Sequence, residues 1–126
     1  MTQGKLIRVL GYYRDAGLLE RVLSNFRKLL IDIDWVNARK LNNDVYEIYL
    51  YVNESPNLKL ALLNLSKTVD IEFVELYEYS SLTPYVYKNN EIREYSNEDL
   101  GDDYFMFFIP IGLRKSKLLS WGEFYG

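Results

Sequence analysis

The sequence predicts an α+β fold, and three observations predict it. Some short runs alternate apolar and polar residues, as half-buried strands do. Two others repeat apolar residues at three- and four-residue spacing, as amphipathic helices do. Between Leu6 and Leu76 these patterns follow one another as strand–helix–strand–strand–helix–strand.

The first run, Lys5–Tyr13, is rich in β-branched residues, leucine and tyrosine and reads as a strand. It ends in Arg14-Asp15-Ala16. From Gly17 the period changes: Leu18, Leu19, Val22, Leu23, Phe26, Leu29 and Leu30 form one stripe of a helix. Ile31, Ile33 and Trp35 alternate, so Ile31–Leu41 is expected to be the second strand. Asn42-Asn43-Asp44 is a turn cluster, because these side chains tolerate left-handed backbone angles. Val45–Val52 then places Ile48, Leu50 and Val52 on one face and Glu47, Tyr49 and Tyr51 on the other, which makes a hairpin with the preceding strand. Ser55 as cap and Pro56 at the first helical position open a second helix with Leu58, Ala61, Leu62 and Leu65 on its stripe. Val69–Leu76 is the fourth strand, and a change of phase between Phe73 and Val74 predicts a bulge there.

Two helices on one face of a four-stranded antiparallel sheet make a sandwich of ferredoxin-like type, here residues 1–79. The other face of that sheet carries Tyr49 and Tyr51 and calls for a cover: a second subunit, a partner, or the chain's own end. Residues 80–126 are expected to be a short C-terminal extension with two strands, Tyr85–Tyr95 and Tyr104–Ile111, and an aromatic end at Trp121, Phe124 and Tyr125. It either packs across the open sheet or mediates association, and the sequence leaves both open.

Composition excludes much chemistry. Without cysteine there are no disulfides, thiol nucleophiles or zinc–thiolate sites, and without histidine the commonest general base and metal ligand are gone. No catalytic residue, metal or cofactor is expected. A net charge of −3 argues against nucleic acid, and the 12 tyrosines are not interleaved with basic residues, so they suit sheet faces and interfaces better than bases. Arg114-Lys115-Ser116-Lys117 reads as a solvated segment. No stretch is apolar enough for a membrane span, and the start shows no signal-peptide hydrophobic region, so a cytoplasmic location is expected.

The one motif that resembles a site is the turn Arg14-Asp15-Ala16-Gly17-Leu18-Leu19. Glycine at a strand-to-helix junction frees backbone N–H groups from about Ala16 to Leu19, which can hold the carboxylate of a small ligand while Asp15 or Asp32 faces its ammonium group. A plain turn that needs glycine for backbone reasons is the other reading. Asp32 and Asp34, if strand alternation holds, point the same way and can bind a metal; solvated charges are the simpler account. Glu98-Asp99-Leu100-Gly101-Asp102-Asp103 lacks the ligand spacing of a calcium loop and reads as a polar loop.

The order of elements and the place of Gly17 resemble the ACT domain, and more closely the regulatory (small) subunit of acetolactate synthase. Three stretches carry the resemblance: Gly17-Leu18-Leu19-Glu20-Arg21-Val22 through Phe26, Ile31-Asp32-Ile33-Asp34, and Leu65-Ser66-Lys67-Thr68-Val69-Asp70-Ile71 through Leu76. It implies a non-catalytic homodimer that associates with a thiamine-diphosphate-dependent catalytic subunit, activates it and confers feedback inhibition by a small amino acid such as valine. By resemblance, Gly17 and its neighbours contact the effector from one protomer, and Asp32 and Ile33 from the other. Two positions depart from the family pattern: Arg14 and Asp32 stand where asparagine is common. Asp32 can pair with an ammonium group, and Arg14 can bind a carboxylate or pair with Asp32; the alternative is a closed site. The tail after residue 80 is also shorter than the second domain usual in that family.

Overall fold

A computed structural model describes residues 4–125, with the side chains of Phe124 and Tyr125 outside the described set. The expected absence of a leader at Met1-Thr2-Gln3 therefore falls outside it in part, as does most of the aromatic end. The described chain runs β1 (Gly4–Tyr12), α1 (Leu18–Lys28), β2 (Ile33–Lys40), β3 (Val45–Asn53), α2 (Leu58–Ser66) and β4 (Ile71–Tyr77). Five strands follow: β5 (Ser81–Lys88), β6 (Glu91–Glu94), β7 (Phe105–Ile111), β8 (Lys117–Ser120) and β9 (Glu123–Tyr125). The architecture is α+β. A six-stranded sheet has the order β2-β3-β1-β4-β8-β9, and a three-stranded sheet has the order β6-β5-β7. Every pairing among the described strands is antiparallel.

The four-stranded sheet expected from the sequence is thus a six-stranded one. The chain's end returns to it: Leu119 pairs with Val74 of β4 and is fully buried, and β9 pairs with β8. The signal for this return is short. β8 and β9 are joined by Trp121-Gly122, both at positive φ, a two-residue hairpin whose strands are only four and three residues long. The other hairpin was also hidden. Tyr85–Tyr95 is not one strand but β5 and β6, reversed at Asn89-Asn90 with both residues at positive φ.

Both helices cover one face of the main sheet. Leu18, Val22 and Phe26 of α1 and Leu58, Ala61, Leu62 and Leu65 of α2 share one core with Ile7, Val9, Ile48, Leu50, Val52, Ile71, Val74 and Leu76. Full burial of each such side chain contributes about 1.5–3 kcal/mol relative to exposure. Two amides tie the helices together: Asn25 donates to the Ala61 carbonyl at 2.8 Å and Asn57 to the Leu29 carbonyl at 3.0 Å. Helix α1 stops at Lys28, short of Leu29 and Leu30. Leu30 takes φ 57°, and the Ile31 N–H reaches back to the Phe26 carbonyl at 3.1 Å, closing the last turn. Helix α2 starts at Leu58, later than the Ser55-Pro56 signal. The Ser55 hydroxyl accepts from the Asn57 N–H at 3.1 Å and so closes a turn ahead of the helix.

Two bulges decide which residues face which way. In β2, Ile33 pairs with Val52 but Trp35 pairs with Tyr51, so Asp34 is the extra residue and Trp35 faces away from the helices. Ile33 and Trp35 therefore do not share a face. In β4, Gly11 pairs with Ile71 and Leu10 with Phe73, which puts the bulge at Glu72 rather than between Phe73 and Val74. Gly11 is needed there because a Cβ would lie 2.8 Å from the Asp70 carbonyl.

The face opposite the helices is covered in part by the extension. Leu82 of β5 is buried against Leu6 and Tyr51, with Trp35, Tyr49, Tyr77 and Phe108 of β7 packed around them. The far side of the small sheet stays open, with Phe107 stacked between Tyr85 at 5.9 Å and Phe105 at 6.2 Å. Among the described residues no helix is long and apolar enough to cross a membrane.

Candidate functional site

The strand-to-helix turn is held by its own charges. Gly17 caps α1 at φ −81° and ψ −7°, so no left-handed angle calls for glycine here. Space does not demand it either: a Cβ would lie 2.9 Å from Asp15 Oδ1 and 3.0 Å from Arg21 Nη1, the ends of exposed side chains that can shift. The Gly17 N–H donates to Asp15 Oδ1 at 2.7 Å, and Arg21 Nη1 reaches the same oxygen at 3.3 Å. That backbone bond, with Arg21 behind it, holds the Asp15 carboxyl below its ordinary range. An internal carboxylate thus sits where a ligand carboxylate was expected. The peptide dipoles favour it for the same reason they would favour the ligand.

Arg14 does not meet Asp32. Its Nε lies 2.6 Å from Asp70 Oδ1, and Arg21 Nη2 lies 3.7 Å from Asp70 Oδ2. Asp70 is the buried partner, held at φ 71° with its carbonyl accepting the Tyr12 N–H at 2.7 Å. Asp32 is exposed and lies past the other end of α1, where its carbonyl accepts the Asn53 N–H at 3.1 Å. The 11 residues of α1 separate it from Gly17 by about 16 Å along the helix axis. Leu18 is 1% exposed, so its side chain belongs to the core and touches no ligand.

Three of the expected residues do come together. Ala16, Leu19 and Ile33 line a furrow of about 470 Å³ between α1 and β2, together with Leu23. Ala16 and Leu19 also line a second, open hollow with Tyr13, Lys40 and Tyr46. There the Tyr13 and Tyr46 rings stack at 5.4 Å and the Lys40 ammonium lies 3.9 Å from the Tyr13 ring centre. Among the described residues no group of three or more acidic side chains is placed to hold a metal; Asp34 is a bulge residue, and Glu98 pairs with Arg93.

The second charged cluster has no counterpart in the sequence reading. On the sheet face away from the helices, Arg8 donates through Nε to Glu47 Oε2 and through Nη1 to Glu75 Oε1, both at 2.7 Å. Arg39 Nε reaches Glu47 Oε1 at 3.1 Å, and Lys115 Nζ lies 3.4 Å from Glu75 Oε2. Glu47 and Glu75 are buried, at 4% and 8% exposure. Burial works against the Arg8 charge, but the bonds to Glu75 and Glu47 outweigh it and hold the guanidinium pKa above its ordinary range. Burial, then the Glu75 charge, pushes the Tyr77 hydroxyl up. A signal was present: Arg8, Glu47 and Glu75 are charges flanked on both sides by apolar or aromatic residues within their strands.

Compared with known proteins, the chain matches no family model and no curated sequence. The arrangement itself then has to speak for function. Among the described residues it offers a sheet edge, a furrow beside it and two clusters of charges, with no convergent acid, base or nucleophile.

Proposed function

We propose that the chain is a non-catalytic ACT-type subunit that pairs with a second copy and regulates acetolactate synthase in branched-chain amino-acid biosynthesis. One observation supports the reading: within the six-stranded sheet the strands run β2-β3-β1-β4 with both helices on one face, an order compatible with a ferredoxin-like core that has β2 as its edge. An edge strand beside a furrow lined by Ala16, Leu19 and Ile33 suits side-by-side pairing of two copies. In such a pair, Gly17 of one copy and Asp32 of the other can approach, although one chain holds them apart. Regulation then works by linkage: an amino acid that favours one geometry of the pair shifts the bound synthase toward the matching state. On this reading the protein works in the cytoplasm, and thiamine diphosphate is the cofactor of its partner.

Asp15 and Arg14 favour a second reading. With Asp15 on the Gly17 N–H and Arg14 on Asp70, the lip is closed by the chain's own side chains, and the pair serves as a ligand-free scaffold for its enzyme. Sedimentation of the purified chain, activity of a thiamine-diphosphate-dependent synthase with and without it, and calorimetry with valine, leucine and isoleucine separate the two. A dimer that raises synthase activity and binds one amino acid is the sensing subunit. A dimer that raises activity without heat, and gains heat in Asp15→Ala, is the closed form. A monomer without effect on the synthase ends both readings.

A further inference from the structure

The bulge at Asp34 turns Trp35, Asn37 and Arg39 away from the helices, beside Tyr49 and Glu47 of β3. The small sheet lies over them, anchored by Leu82 and Phe108 on the Leu6–Tyr51 cluster. Between the two layers is a cleft of about 330 Å³, which Phe108 and Pro110 close from the side of β7. That is the low end of the range for small-molecule sites and suits a single ring with one substituent rather than a nucleotide.

The walls and the polar groups make different demands, and both narrow the ligand. Trp35, Tyr49 and Phe108 offer aromatic surface that favours a flat ring. The only acid in the lining, Glu47, has both oxygens occupied, Oε2 by Arg8 and Oε1 by Arg39. Arg39 spends only Nε on that bond; its Nη1 and Nη2 make no hydrogen bond among the described residues, and its side chain is 66% exposed. Neither the Asn37 amide nor the Tyr49 hydroxyl has a hydrogen-bond partner among them. Among the described residues of the lining Arg39 is the one cation, and the one acid, Glu47, is already held by Arg8 from outside it. Free guanidinium donors beside an acid that is already paired select an anion, and a guanidinium edge suits a carboxylate.

From these groups we infer that the cleft between the main sheet and β7 binds a small aromatic carboxylate, its ring between Trp35, Tyr49 and Phe108 and its carboxylate on Arg39. The site lies on the opposite face from the α1–β2 furrow and does not depend on how that furrow functions.

Benzoate titrated into the full-length ¹⁵N-labelled chain tests this, with the two indole N–H signals as reporters. Trp35 lines the cleft, whereas Trp121 is 71% exposed in the β8–β9 turn and serves as the internal reference. The expected result is a saturable shift of Trp35 with Trp121 unmoved. Benzamide and benzylamine should bind at least about tenfold more weakly, since each lacks the charge that Arg39 recognises. Arg39→Gln should weaken benzoate by about tenfold or more and leave benzamide unchanged, with Glu47 still held by Arg8 so that the fold survives. Asn37→Ala, which keeps the β2–β3 backbone pairing and removes only an exposed side-chain amide, should cost benzoate a few-fold. Three results would overturn the site: no saturation at Trp35 up to about 10 mM benzoate, parallel shifts of both tryptophans, or benzylamine binding as tightly as benzoate.

Discussion

The arginine–carboxylate cluster at the α1 turn and the one on the far face of the main sheet differ mainly in depth. At the α1 turn, Arg14, Asp15 and Arg21 lie in solvent and only Asp70 is buried. On the far face of the sheet, Glu47 and Glu75 are buried and share Arg8, which is itself 21% exposed in its side chain. The same chemistry therefore does different work. Exposed pairs are screened by water and decide local shape, here the closure of a turn. Buried charges cannot be left single, so the inner cluster ties the neighbouring strands β1, β3 and β4 together through Arg8.

The sharpest way to break this contrast is Arg8→Ala. It leaves two buried carboxylates without their shared cation and should cost about 3 kcal/mol in denaturant unfolding. Replacing the buried charges together, with Arg8→Met, Glu47→Gln and Glu75→Gln, should recover most of that loss, because only the exposed Arg39 and Lys115 then lack a partner and no buried charge is left single. A triple variant as unstable as Arg8→Ala would show that the charges themselves hold the strands. Leu82→Ala comes next. It removes the 5%-exposed anchor of the small sheet and should cost about 2–3 kcal/mol, with Trp35 fluorescence shifting toward that of an exposed indole.

The outer cluster should yield less. Asp70→Asn keeps a residue that tolerates φ 71° and loses only ion pairs to exposed arginines, for about 1 kcal/mol or less by thermal melting. Two pH arms separate the clusters further. Tyr77 has a raised pKa, so its contribution is full below the ordinary value of 10.0 and is lost as pH rises through it; Tyr77→Phe should flatten that alkaline fall. Asp15 has a lowered pKa, so its contribution is present above the ordinary 3.8 and is lost as pH falls below it. Asp15→Ala should remove that acid arm with the smallest effect of the set at neutral pH.

Much of residues 5–77 was legible in the sequence because period and burial agree there. Ile48, Leu50 and Val52 face the helices and Glu47, Tyr49 and Tyr51 the other side, as alternation requires. Asn42 does turn the β2–β3 hairpin, its side-chain oxygen accepting from the Asp44 and Val45 N–H groups. Legibility failed wherever one residue changed the phase. Asp34 and Glu72 are each an ordinary charged residue, yet as bulges they reverse the face of everything on one side of them. It failed again after residue 80, where strands of three and four residues are too short to establish a period. At the candidate site, the turn at Gly17 was found from sequence, but its occupant was not: Asp70, some 55 residues on, takes Arg14.

The sequence by itself determined the α+β class, the order of the first six elements and the absence of thiol and imidazole chemistry, because local period and residue type suffice for these. Only the tertiary structure decided that Asp15 closes its own helix end, that the chain's end rejoins the main sheet, and that Arg8 gathers Glu47 and Glu75 under a second layer. Those outcomes depend on which distant groups meet, since a charge takes whichever partner the fold brings within reach and leaves in a dry enough place.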